Sequence, residues 1–210
     1  MNLIASVALI FLILVGSELW WRKQSIRGEF SRKFVHITVG SFVAFWPYFL
    51  TANQIKLLSV AFLIVVIISK YLNLFQAIHS VQRPTLGEVW FAAVVGLLAF
   101  TAPHHPHIYT AALLEMSLAD GLAAVIGTRY GNNNKYIVFG HAKSIIGSAT
   151  FFVVSCAILT GYCVLTANPF ALLAVLPLAL VVTILENVAV NGLDNLFVPL
   201  ATAGMLLLFV

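Results

Sequence analysis

Apolar and polar positions alternate along this chain in long blocks. Runs such as "IASVALIFLILVG" and "SVAFLIVVIIS" carry almost no polar residue. A helix needs about 20 apolar residues, within about 17–25, to cross hydrocarbon. Applied to the blocks, that measure predicts eight spans, at residues 2–21, 34–50, 55–72, 87–102, 108–128, 146–166, 170–187 and 195–210. Polar stretches separate them, the longest being "RKQSIRGEFSRK", "NLFQAIHSVQRPTLGE" and "TRYGNNNKYIVFGHAKS". The pattern therefore predicts an all-α fold: one transmembrane domain over 1–210, a polytopic integral membrane helical bundle of about eight transmembrane helices. No internal repeat or second domain is visible. The first block has no basic residues ahead of it and ends in Trp20 and Trp21 before Arg22 and Lys23. It reads as a retained span, not as a cleaved signal.

Composition strengthens this picture. Hydrophobic residues make up 61% of the 210 and charged residues 9%, with a mean hydropathy of +1.03. Soluble domains carry roughly 25% charged residues, so a soluble globule is excluded. Lys and Arg number 11 against 7 Asp and Glu. In a membrane protein that excess reports topology, and no nucleic-acid partner is inferred from it. If every span crosses, all basic residues except Lys56 fall on one side. That side is then cytoplasmic, with both termini outside. Glu29, Glu88, Glu186 and Asp194 lie at cytoplasmic span ends or loops, and Glu115 and Asp120 lie within the fifth span. Any chemistry is expected at the cytoplasmic face. Cys156 and Cys163, seven residues apart on one helix, are separated by roughly 10 Å of rise, too far for a disulfide.

The densest polar signal is "EMSLADGLAAVIGTRYG" at 115–131, followed by "HAKSIIGS" at 141–148. A carboxylate inside a membrane helix costs about 2.5–3.5 kcal/mol on insertion scales and usually faces a partner, cavity or pathway. Asp120 is followed by Gly121, Ala123, Ala124, Gly127 and Gly131, and then by the cations Arg129, Lys135 and Lys143. A metal–phosphate site needs this combination, because Mg²⁺ takes one or two carboxylates plus phosphate oxygens and cations neutralise the remaining charge. The same glycines also fit a helix-packing motif, and both readings stand on spacing alone.

An ordered set of motifs resembles the dolichol kinase/phytol kinase family, from about residue 31 to 210. The set begins with Arg32, Lys33 and His36 in "SRKFVHITVG", then Thr85, Gly87 and Glu88 in "RPTLGEVWF". It continues with Asp120, Gly121, Ala123, Gly127 and Gly131, then Lys143, Ser144, Gly147 and Ser148, and ends with Glu186, Asp194, Asn195, Pro199 and Leu200. The resemblance implies a membrane enzyme that moves the γ-phosphoryl group of a nucleotide, typically CTP, onto an isoprenoid alcohol or diacylglycerol. It implies Mg²⁺ as cofactor, with Asp120 and Asp194 as metal ligands. Lys143 would hold phosphates, with Arg129, and Glu186 or Asp194 would serve as second ligand or base. Gly121, Gly127, Gly131, Ser144, Gly147 and Asn195 would surround the nucleotide.

Lys33, His36 and Glu88 are accessory candidates. The basic stretch 22–33 attracts anionic headgroups in any membrane protein, His36 serves equally as an interfacial histidine, and Glu88 also suits a helix N-terminus. Glu115 is assigned to helix packing. His104, His105 and His107 in "PHHPH" have no neighbouring carboxylate or Cys and are read as an outer loop. Phosphatidate cytidylyltransferases carry a similar Asp-to-Gly run, but "GHAKSIIGS" lacks their Pro, paired Lys and Glu. A small transporter using Glu115 and Asp120 as an ion path is the non-enzymatic alternative. The acceptor alcohol and the oligomeric state are not fixed by sequence.

Overall fold

The computed structural model describes residues 3–24, 29–71, 86–168 and 172–210. Arg27, Arg83 and Thr85 lie outside these residues. Among the described residues eight long helices follow the predicted blocks in order: α1 Leu3–Gln24, α2 Glu29–Ala44, α3 Ala52–Tyr71 and α4 Gly87–Leu98, then α5 Pro106–Tyr130, α6 Ile145–Thr166, α7 Val175–Val188 and α8 Asp194–Leu206. Of these, α5 with 25 residues and α6 with 22 are long and apolar enough to cross a bilayer; the remaining apolar helical stretches are shorter.

Helix α5 is the centre of the bundle. Two thirds of its most apolar window, 67%, is buried, against 28% for α6, and α2, α6 and α8 pack around it. Pro106 opens it, as suits a residue without an N–H at a helix start. A π-helical turn over Glu115–Ala119 interrupts its regular hydrogen bonding one turn before Asp120. Small residues set the close approaches: a Cβ on Gly121 would lie 2.2 Å from Ile37 Cγ1, and one on Gly40 2.4 Å from Ser117 Cβ. The α2–α5 contact therefore depends on glycine at both places. The outward surface is apolar nearly everywhere, with Val164, Leu165, Leu176 and Leu208 each more than half exposed.

Two features depart from the sequence pattern. Helix α2 starts at Glu29, so Arg32 and Lys33 sit inside a helix and not in a connecting loop. The "NNNKYIVFGHAKS" stretch is also more than a loop. Lys135–Val138 (β1) and His141–Ser144 (β2) pair antiparallel, Lys135 opposite Ser144 and Val138 opposite His141. Phe139 and Gly140 have φ of 46° and 78°, the left-handed conformation of a two-residue hairpin turn. Ser144 ends β2 and caps α6, its hydroxyl accepting from the Gly147 N–H at 3.1 Å. Tyr136 anchors the hairpin by its hydroxyl to Ser148 at 2.5 Å and to Asn187. Cys156 and Cys163 are both free thiols on α6.

Candidate active site

A cavity of about 420 Å³ opens at one end of the bundle, where α2, α5, α6, the hairpin, the C-terminus of α7 and the α7–α8 turn meet. Its charged lining comprises Asp120, Glu186 and Asp194 against Arg32, Lys33, Lys135 and Lys143, with His141 beside them. Residues 66 and more positions apart in sequence, such as Asp120 and Glu186, thus share one compartment.

Two ion pairs organise it. Lys33 Nζ donates to Asp120 Oδ2 at 2.5 Å, with both side chains less than a tenth exposed. His36 Nε2 stands 3.7 Å from the same oxygen and donates to the Met116 carbonyl at 3.0 Å. Lys143 Nζ donates to Glu186 Oε1 at 2.5 Å and to the Glu186 carbonyl at 3.0 Å. Burial works against the Lys143 ammonium. The facing Glu186 carboxylate more than offsets this, and the Lys143 pKa rises above the ordinary lysine value. Lys143 is therefore a fixed positive charge at neutral pH.

Asp194 opens α8 and faces the same cavity. Its Oδ1 is buried and, among the described residues, has no hydrogen-bond partner. An orphaned carboxylate oxygen beside Asp120 fits a divalent cation, which would also need oxygens from a phosphate ligand. Among the described residues no three His, Cys, Asp or Glu side chains converge as a self-sufficient metal cluster.

The structure sorts the residues expected from sequence. Asp120, Gly127, Lys143, Ser144, Gly147, Glu186 and Asp194 line the cavity, and so does Lys33. Arg129 does not. It is exposed and lies over the Tyr130 ring, 5.5 Å from its centroid. The cause is helical phase: nine residues beyond Asp120, at about 100° each, turn it to the opposite face. Gly121 is turned to α2 and packs on Ile37. Gly131 makes room for Ser144, whose Oγ a Cβ would approach to 2.4 Å. Asn195, His36 and Glu88 line a separate cavity of about 50 Å³ that shares Arg32 with the larger one. Glu115 is fully buried and accepts from Ser155 Oγ at 2.8 Å, in keeping with a packing role. His107 Nδ1 pairs with the Tyr48 hydroxyl at 2.8 Å, away from the cavity.

Lys135, named from sequence among the cations after the glycine-spaced helix, lines the cavity, and so does His141, which sequence reasoning missed. The available signal was the β-prone run Tyr136-Ile137-Val138 ahead of Gly140. Gly192 was missed as well. At φ +85° it brings the α7–α8 turn against α4, where an added Cβ would lie 2.6 Å from the backbone of Gly87.

No family model and no solved structure matches the chain. Curated relatives do. The phytol kinase of Synechocystis sp. is 29% identical over 196 residues, 91% of this chain and 84% of that one. The probable phytol kinase 1, chloroplastic, of Glycine max is 28% identical over 207 residues, 88% of this chain and 68% of that one. The probable chloroplastic phytol kinase of Triticum aestivum is 28% identical over 204 residues, 86% and 67% respectively. The curated proteins to which this chain is similar are thus a phytol kinase and two probable phytol kinases.

Proposed function

We propose that the chain is a membrane lipid-alcohol kinase, transferring the γ-phosphoryl group of a nucleotide to the hydroxyl of an isoprenoid alcohol such as phytol. The observation that carries this reading is the cavity in which Asp120, Glu186 and Asp194 face Lys33 and Lys143 at one end of an apolar bundle. The similarity to phytol kinases supports the same reaction. CTP is the donor implied by the resemblance to the dolichol kinase/phytol kinase family.

In this reading the alcohol oxygen forms a bond to the γ-phosphorus, and the bond from that phosphorus to the bridging oxygen of the leaving diphosphate breaks. The hydroxyl proton passes to a carboxylate, Asp194 or Glu186. Little covalent chemistry falls to the protein, so catalysis is mainly positioning and charge neutralisation. Lys143, fixed by Glu186, and Lys33, fixed by Asp120, are the cations for phosphate oxygens. Asp120 and Asp194 would hold Mg²⁺, which when bound would neutralise charge on the phosphates.

The apolar outward surface supports placing all eight helices in the bilayer as a single domain. The charge asymmetry of the loops supports a cytoplasmic cavity with both termini outside. The test uses purified protein in lipid–detergent micelles with Mg²⁺, CTP labelled at the γ-phosphate, and phytol, farnesol, a polyprenol, diacylglycerol or phosphatidic acid. Label in an organic-extractable lipid, with CDP released, is the expected result. Pyrophosphate release with phosphatidic acid would make the protein a cytidylyltransferase, and absence of any nucleotide turnover would remove the kinase.

A further inference from the structure

Beside the polar cavity the structure contains an apolar cleft of about 180 Å³ between α1, α2, α3 and α4. Its walls are aliphatic and aromatic, among them Val7, Phe11, Val43, Leu58 and Val65. Two wall residues carry a polar group: Ser59, whose hydroxyl donates to the Lys56 carbonyl at 3.0 Å, and Trp46, whose Nε1 is buried without a partner among the described residues. Phe11 is 58% exposed and Val65 48%, so the cleft opens sideways between α1 and α3, on the apolar outer surface.

The inner end of this cleft is polar. Leu14, Val39, Phe62 and Phe91 line both the cleft and the small cavity that contains Arg32, His36, Glu88 and Asn195. Arg32 in turn lines the main cavity. Three cavities thus adjoin one another in a line from the outer surface toward the Lys33–Asp120 pair, sharing wall residues. Along α2 the line extends from His36 to Val43, seven residues or about 10 Å. At its polar end Asn195, 5% exposed, donates its amide N–H to the Gly87 carbonyl at 2.9 Å. Its Oδ1 is buried with no partner among the described residues. A buried acceptor without a donor is unfavourable, and a single hydroxyl at the head of the cleft would satisfy it.

We infer that this cleft is the acceptor site: it takes the apolar tail of a lipid alcohol from the bilayer through the α1–α3 opening and presents the hydroxyl to Asn195, beside Asp194. The inference rests on the kinase reading for the fate of that hydroxyl, but the binding site stands on the cleft's own chemistry. An occupant with one polar end and a long apolar body matches a passage that is apolar for most of its length and polar at its inner end. His36 and Glu88 then belong to the acceptor side of the centre, not to the nucleotide side. With Nε2 given to Met116, His36 keeps Nδ1 as its basic nitrogen.

The test pairs labelling with kinetics on the full chain in lipid nanodiscs. A long-chain isoprenoid alcohol carrying a diazirine at the tail end is photolysed and the labelled peptides are mapped. Label in α1 and α3, around Val7–Phe11 and Leu58–Val65, is expected. Ala61→Trp, which puts an indole into the opening at an exposed position, should abolish that labelling. It should also raise KM for the long-chain alcohol about tenfold, the equivalent of about two lost methylene contacts, with KM for the nucleotide unchanged. Leu180→Trp, on the exposed face of α7, should change neither.

Label at the second apolar recess, around Phe30, Val125 and Thr128, would overturn the inference while leaving the kinase intact. Labelling competed equally by excess phospholipid would also overturn it, since the cleft would then hold any acyl chain. Cleft labelling in a protein that turns over no nucleotide would keep the lipid-alcohol site and remove the kinase.

Discussion

Replacing Asp120 by Asn keeps the side chain's shape and removes its charge, which separates folding from chemistry at the centre of the site. In the wild type Lys33, 7% exposed, has its ammonium 2.5 Å from the Asp120 carboxylate. Asp120→Asn leaves that ammonium buried and uncompensated. Breaking a buried pair in this way costs about 3–5 kcal/mol. The adjacent water-accessible cavity places the cost here at the low end, about 3 kcal/mol. For a chain of this length each kcal/mol moves Tm by about 2–4 °C, so the single variant should melt roughly 6–12 °C lower. Adding Lys33→Met removes the stranded charge, and the double variant should regain most of that loss. Neither variant should transfer phosphate well. Losing one preorganised charge-stabilising group costs about 10²–10³ in kcat, and the double variant loses two. The assays are scanning fluorimetry in detergent and labelled-phosphate transfer on the same preparations. A double variant that is as stable as wild type and also turns over within threefold of it would refute the assignment of Asp120 to the site. A single variant with unchanged Tm would refute the buried pair.

Other outcomes follow from the same geometry. Lys143→Ala strands Glu186, which is 6% exposed, and should lower both Tm and turnover, with kcat down about 10²-fold or more; Lys143→Arg should recover stability ahead of activity, because a planar fork replaces a point charge. Because the Lys143 pKa is raised, the stabilisation of its charged pair is complete below the free-lysine value of 10.5 and is lost only as pH rises through the higher folded value. Chemical-denaturation midpoints of wild type and Lys143→Met should therefore differ by a constant amount from pH 7 to 9. Tyr136→Phe removes the hydroxyl that ties the hairpin to Ser148 and Asn187. It should cost about 1 kcal/mol and raise the KM for nucleotide more than it lowers kcat. Gly192→Ala forces a Cβ into a left-handed position, about 1–2 kcal/mol, and against the Gly87 backbone, so a Tm several degrees lower is expected by fluorimetry.

Much of the site was legible because ionisable residues in apolar blocks are conspicuous. Asp120 and Glu186 interrupt runs that would otherwise be lipid-like, Asp194 ends the polar connection before the last span, and Lys143 lies twelve residues beyond Gly131. What the sequence could not rank was the basic stretch, where Lys33 sits among several cations. Only the packing of α2 on α5 through Gly40 and Gly121 selects Lys33 as the partner of Asp120. Arg129 was drawn in by its nearness in sequence, and a helical projection from Asp120 would have turned it away. The hairpin escaped because its strands have four residues each and are embedded in a polar stretch, where the apolar-block criterion has no sensitivity. Asn195 was grouped with the nucleotide residues through the Asp194-Asn195 motif of the family resemblance. Consecutive positions on a helix point about 100° apart, and at the start of α8 that difference places the two side chains in adjoining cavities.

The central claim is most directly tested with CTP carrying one isotope in the γ-phosphate and another in the α-phosphate, incubated with wild-type protein, Mg²⁺ and phytol in micelles. The account predicts that only the γ-label enters the organic phase, in a product that alkaline phosphatase returns to phytol, and that Asp120→Asn/Lys33→Met abolishes this transfer while remaining folded. α-Label in the lipid, or no label from a folded wild-type protein with any lipid alcohol, would contradict it.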